Sequence, residues 1–198
     1  MANIDWSGTE GDGAGRLGGA AHSRGDAFAA VRGAASAAVR SAVRDGARLV
    51  DLGVASAEAI AAVRAIDPGV IICAGVPGAD LTRDPGVAER TGATLLGAGP
   101  VDGPPGGGSL SGCRASVLVT CEPADVGRLT AIGWSVVVDV DTVDTTELAG
   151  TLAVAAVCTW LGARIVRTRH VAAVCQAVEM VESIGGTRAP TWTRRGLA

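Results

Sequence analysis

Short apolar runs that alternate with segments of helical period constrain this chain more than any other feature. Arg48-Leu-Val-Asp-Leu-Gly53, Val70-Ile-Ile-Cys-Ala74, Thr94 to Leu96, Ser116-Val-Leu-Val-Thr120, Ser135-Val-Val-Val-Asp-Val140 and Arg164-Ile-Val-Arg167 each read as a buried strand. A weaker strand is expected near Ala2 to Asp5. Helical segments follow most of these runs after short connections. Strand-then-helix repeats of this kind specify a parallel sheet with helices outside it. At 198 residues the chain is shorter than the roughly 250 of a usual eight-stranded barrel. The expectation is a reduced TIM-type β/α barrel of about seven parallel strands, open or irregular where a βα unit is lost.

Several helices can be placed from pattern and caps. From Asp26 to Asp45, Phe28, Val31, Ala35, Val39 and Val43 recur at spacings of three and four and form one apolar face. Ala57 to Ala65 is a helix that Ser56 can cap. Further helices are expected near Pro85 to Thr91, from Pro123 to Ile132, from Asp144 or Thr145 to Leu161, and from Val171 to Ile184 before Gly185-Gly186. Met1 to Gly25 is glycine-rich and reads as a flexible segment, 26–186 as the barrel domain, and 187–198 as a polar tail. Pro100 to Gly112 is too rich in Gly, Pro and Ser for regular structure.

Composition narrows the chemistry. All 17 basic residues are arginines, which excludes any mechanism that needs a lysine amine. A net charge of −3 without a basic run argues against nucleic acid as a partner. The five cysteines are scattered without zinc spacing and fit a reducing cytosol. Met1 to Ala20 lacks the basic start and apolar middle of a signal peptide, and the longest uncharged apolar run, Leu148 to Ala163, is shorter than the ~20 residues of a membrane span. A cytoplasmic protein is expected.

The candidate site lies at strand ends. Arg167 and Arg169 alternate at the carboxyl end of the last strand, where two guanidiniums on one face could clamp an anion such as pyrophosphate. Two solvated arginines are the bland alternative. Asp51 sits like a site carboxylate at another strand end, or ties the loop before Ser56. Asp139 and Asp141 put two carboxylates on one face, suited to a weak metal or amine site or simply solvated. No catalytic residue and no metal ligand set is assigned. His170 reads as a helix-start residue.

The stretches Glu147-Leu-Ala-Gly-Thr-Leu-Ala153, Gly162-Ala-Arg-Ile-Val-Arg167 and Gln176 to Ile184 resemble the C-terminal part of a dihydropteroate synthase, and Asp45-Gly-Ala-Arg-Leu-Val-Asp-Leu-Gly53 resembles the second strand of that family with its Asp-x-Gly ending. The tail from Arg188 and Gly133-Trp134 are closest to a divergent actinobacterial synthase-like paralogue. The resemblance implies a pterin-binding β/α barrel, a link to folate biosynthesis and Mg2+ if synthase chemistry holds. It also implies a homodimer, or a heterodimer with a full-length relative, through helices 145–161 and 171–184. The uncharged helix after Glu147 supports this, since both of its faces should be covered.

Departures from the family are extensive. The N-terminal Asn-x-Thr-Pro-Asp-Ser-Phe loop has no counterpart, and Ile72-Cys73-Ala74-Gly75 replaces Ser-Val-Asp-Thr, whose aspartate contacts the pterin. Gly97-Ala98 replaces Asn-Asp after the next strand, and the Asp-Pro-Gly-x-Gly-Phe-Gly-Lys strand and loop are missing. Ser-Arg-Lys aligns with Asp141-Thr142-Val143, and the final Arg-x-His is Arg167-Thr168-Arg169. A carboxylate that reads a pterin edge by paired hydrogen bonds is costly to lose. The expected function is therefore a degenerate synthase-like protein without synthase activity that binds a partner, and the pterin or pyrophosphate as ligand only secondarily. The alternatives are a genuine synthase that condenses dihydropterin pyrophosphate with p-aminobenzoate, and an unrelated phosphate-binding barrel enzyme.

Overall fold

A computed structural model describes residues 2–5, 36–53, 55–98, 117–141 and 147–188. Eight parallel strands pair in chain order and the last returns to the first, so the barrel closes. They are β1 (Ala2–Asp5), β2 (Leu49–Asp51), β3 (Ile71–Cys73), β4 (Leu81–Thr82), β5 (Thr94–Ala98), β6 (Val117–Cys121), β7 (Val136–Asp139) and β8 (Ile165–Arg167). Around them lie α1 (36–44), α2 (Ala57–Ile66), α3 (Pro85–Thr91), α4 (Val126–Ala131), α5 (Leu148–Trp160) and α6 (Val171–Ile184).

The β/α barrel expected from the alternating pattern is present. Its irregularity lies in one join: every strand position is filled, and the described residues between β3 and β4 hold no helix. Only residues 74–80 join β3 to β4, too short for the crossover of a dozen or more residues that a parallel pair ordinarily needs. A polar brace holds this join. The Asp80 carboxylate accepts from the Ile72 N–H at 2.8 Å and from Arg64 Nη2 at 2.6 Å, while Arg64 Nη1 donates to the Val70 carbonyl at 2.6 Å. Backbone bonds from Ala74 to Leu81 and from Asp80 to Ile72 complete the pairing.

The weak strand expected near Ala2 to Asp5 is present as a barrel strand hydrogen-bonded to both β2 and β8. One helix boundary is corrected. α5 begins at Leu148 rather than 145, with Glu147 in extended conformation before it. The proposed Asp144 and Thr145 caps, most of the glycine-rich segment, the 100–112 stretch, the start of the first helix and most of the tail fall outside the described residues.

Side-chain alternation along the strands builds two layers. Leu49, Cys73, Leu81, Leu96, Val137 and Ile165 meet inside the barrel. Their neighbours point outward: Val119, Val136, Val138, Val140 and Val166 pack with Leu129, Ala155, Cys158, Val174 and Val178 of α4, α5 and α6. Val50 and Ile72 pack with Val39, Ile60 and Val63 of α1 and α2. A period of two places residues 51, 73, 139 and 167 on the inner face, one step above that core. Helix starts follow the chain's own signals. Ser56 Oγ accepts from the Ala59 N–H, and Asp84 Oδ1 from the Val87 N–H with Pro85 next to it.

Candidate functional site

The carboxyl ends of the strands converge on a charged mouth. Asp51, at the end of β2, is 1% exposed and is the most deeply set of its carboxylates. Gly53, with φ at +58°, turns the chain back so that its N–H donates to Asp51 Oδ1 at 3.0 Å. Asp51 thus lies at the strand end and also ties the loop that follows it. Its main partner is one the sequence did not single out. Arg83, just beyond β4, donates from Nη2 to Asp51 Oδ2 at 2.6 Å and from Nη1 to Oδ1 at 3.2 Å, a two-point guanidinium–carboxylate pair.

Arg167 points into the same mouth. Its Nη1 donates to Asp139 Oδ2 at 3.1 Å, and its Nη2 lies 4.0 Å from Asp51 Oδ2. Burial lowers its pKa from the ordinary arginine value. Burial likewise pushes the Asp139 carboxyl up, opposed by the hydrogen bond from the Asp141 N–H at 3.0 Å. Asp141 serves a different purpose. It accepts from Thr168 Oγ1 at 3.0 Å and from the Arg169 N–H at 2.6 Å, fixing the turn from β8 into α6.

The expected pairing of Arg167 with Arg169 depended on both lying along one strand. β8 stops at Arg167, Thr168 is buried, and the chain turns so that Arg169 is 72% exposed with its Nε 3.6 Å from Asp141. Each guanidinium therefore has its own carboxylate. Asp139 and Asp141 are likewise divided between the mouth and the turn. His170 precedes the first residue of α6, as expected for a helix-start residue.

The ladder also revises the positions of two losses. At the end of β3 the residue facing the interior is Cys73, opposite Asp51, whereas Ala74 packs in the outer core. The inner position thus holds a thiol, which burial, with Asp51 adding to it, pushes up to about 12, so it is neutral. The strand next to β3 is β4, so the residues after it are Arg83-Asp84 rather than Gly97-Ala98. Arg83 could have been noticed as a basic residue directly after Leu81-Thr82 and before an Asp-Pro helix start.

Asp51, Asp139 and Asp141 face Arg83, Arg167 and Arg169 in three charge-balanced pairs. Among the described residues no three His, Cys, Asp or Glu side chains gather in a way that could hold a metal ion. The mouth's carboxylate oxygens already accept from arginines and backbone N–H groups, and this arrangement does not fit Mg2+.

No family model matches the chain. Over 83 residues it is 40% identical to "Inactive dihydropteroate synthase 2" of Mycobacterium leprae, covering 37% of this chain and 28% of that protein. It is 43% identical to the Mycobacterium tuberculosis protein of the same name, covering 37% and 26%. These matches span little more than a quarter of the relatives' length. Among solved structures, Mycobacterium tuberculosis Rv1207 superposes with a TM-score of 0.61 at 26% identity, over 81% of this chain and 91% of that one. The dihydropteroate synthase of Coxiella burnetii, solved with pteroic acid, gives 0.59 at 14% identity over 79% and 87%.

The chain folds as a divergent dihydropteroate synthase-like barrel. Its strands pair in chain order around the barrel, and Arg167 stands at the end of β8. At the inner positions of its mouth it carries Cys73 and Arg83 in place of the expected acceptors. Among the described residues no helix is long and apolar enough to cross a membrane.

Proposed function

We propose that this synthase-like protein makes no dihydropteroate and acts instead by binding a protein partner in the cytoplasm, in connection with folate biosynthesis. The observation that carries the first half is the charge-balanced mouth. Synthase chemistry displaces pyrophosphate from a pterin methylene, and the developing negative charge must be met by cations aimed at it. Here Arg83, Arg167 and Arg169 are each engaged by a carboxylate, and the chain has no lysine to add. The names of the mycobacterial relatives support the same reading.

The outer face of α5 supports the second half. Thr151, Ala155 and Cys158 face the barrel, while Leu148, Val157 and Trp160 are exposed, Trp160 at 65%. Met180 and Ile184 of the adjoining α6 are exposed as well. Exposed apolar patches of this kind mark interaction surfaces. The occupant we favour is a second copy of this chain or a full-length relative, packed through these two helices.

Complementation of a strain that lacks its synthase tests the first half: growth without folate end products would overturn it. Sedimentation tests the second. The wild-type chain should run as a dimer and Trp160→Glu as a monomer with an unchanged circular dichroism spectrum. A wild-type monomer would refute the self-pairing. Leu152 is a poor probe, because it leans on the buried core.

A further inference from the structure

We propose that Asp51 is a binding site for a planar guanidinium or amidinium group, and that Arg83 is its resident occupant, closing the mouth from within. Three observations support this. The acceptor is built independently of its occupant: the Gly53 N–H at 3.0 Å and Arg167 Nη2 at 4.0 Å hold the carboxylate even if Arg83 leaves. The carboxylate is almost wholly buried, and both of its oxygens meet the fork of a single guanidinium. The occupant, by contrast, reaches in from the surface. Its side chain is 46% exposed and starts just beyond a two-residue strand, so rotation about its own bonds would withdraw it without moving the barrel wall.

The contact has the chemistry of a ligand site. Paired, parallel N–H donors on a flat cation match a carboxylate at two points, which an ammonium group cannot do. Beside the fork, Cys73 Sγ lies 3.8 Å from Arg83 Nη1 and gives the pocket a small neutral wall. Any external ligand with a guanidine or amidine edge must displace Arg83, so its apparent affinity falls by the fraction of time the mouth stands open. Removal of the arginine should lift that handicap. The inference holds whether or not any synthase chemistry persists.

The test uses the full chain and methylguanidinium chloride as probe, with methylammonium chloride at equal concentration as control. Thermal melting of Arg83→Ala should rise saturably with methylguanidinium, recovering about half or more of the Tm lost by the substitution. Methylammonium should have no such effect, and neither the wild type nor the Asp51→Ala/Arg83→Ala double variant should respond. An equal response in wild type and Arg83→Ala, or no response beyond that of methylammonium, would overturn the proposal. If Arg83→Ala does not fold, the arginine side-chain nitrogen resonances of the wild type decide. Slow rotation of the Arg83 guanidinium with resolved Nη signals supports the site, and fully averaged signals overturn it.

Discussion

The Arg83–Asp51 pair is the contact on which the mouth turns, and its worth can be worked out before it is measured. Asp51→Ala removes the acceptor of two charged hydrogen bonds and of the Gly53 N–H. Hydrogen bonds to charged groups contribute about 1.5–3 kcal/mol, and breaking a fully buried ion pair costs about 3–5 kcal/mol. Arg83 is half exposed and regains water when freed, so the upper range does not apply. A loss of about 2.5 kcal/mol follows, or about 5–10 °C in Tm for a chain of this size. Arg83→Ala leaves a buried carboxylate with one N–H and a more distant guanidinium, a loss of about 2 kcal/mol. The double variant should lose little more than Asp51→Ala alone, so the coupling energy is about 1.5 kcal/mol. Urea unfolding of the four proteins at low and high salt is the assay, and the coupling should persist in salt because one partner is buried. Single-variant losses that add to within about 0.5 kcal/mol would refute the reasoning.

Three further outcomes are expected. The Cys73 thiol is raised from 9.0 to about 12, so the stability it contributes is complete below pH 9 and is lost as pH climbs toward the folded value. Cys73→Ala should flatten this alkaline decline in denaturation curves taken across that window, and an unchanged slope would count against the burial of the thiol. Asp80→Ala strips the Ile72 N–H of its acceptor inside the sheet, with an expected loss of about 1–3 kcal/mol and faster amide exchange at Ile72 than at Val137; equal exchange at the two would contradict the brace. Calorimetry with pyrophosphate should give no saturable heat in the wild type, because Arg167 and Arg169 would have to exchange carboxylates for the anion. A micromolar isotherm would restore the anion clamp.

The sequence made some of this legible and concealed the rest for physical reasons. β2, β3 and β5 to β8 are runs of Val, Ile and Leu long enough to show, and Ser56 and Asp84 announce their helices by side-chain caps. β4 is only Leu81–Thr82, and its place is fixed by Asp80, a side-chain acceptor whose donor lies eight residues earlier. Periodicity carries no trace of such a strand. β1 reads only as a weak strand beside a glycine-rich stretch, because its place depends on β2 and β8 flanking it. The site followed the same division. Asp51, Asp139 and Arg167 could be placed by alternation along good strands. Arg83 could not, because its partner is 32 residues away and it belongs to the strand that pattern misses. The clamp of Arg167 with Arg169 extended strand geometry two residues past where β8 ends.

The most direct test of the central claim is to incubate the purified chain with dihydropterin pyrophosphate, p-aminobenzoate and Mg2+ and to follow dihydropteroate by chromatography. A mouth whose Arg83 and Arg167 are held by Asp51 and Asp139, with Arg169 turned out toward Asp141, predicts no product above a boiled-protein blank. Product that accumulates in proportion to protein, and disappears in Asp51→Ala, would contradict it.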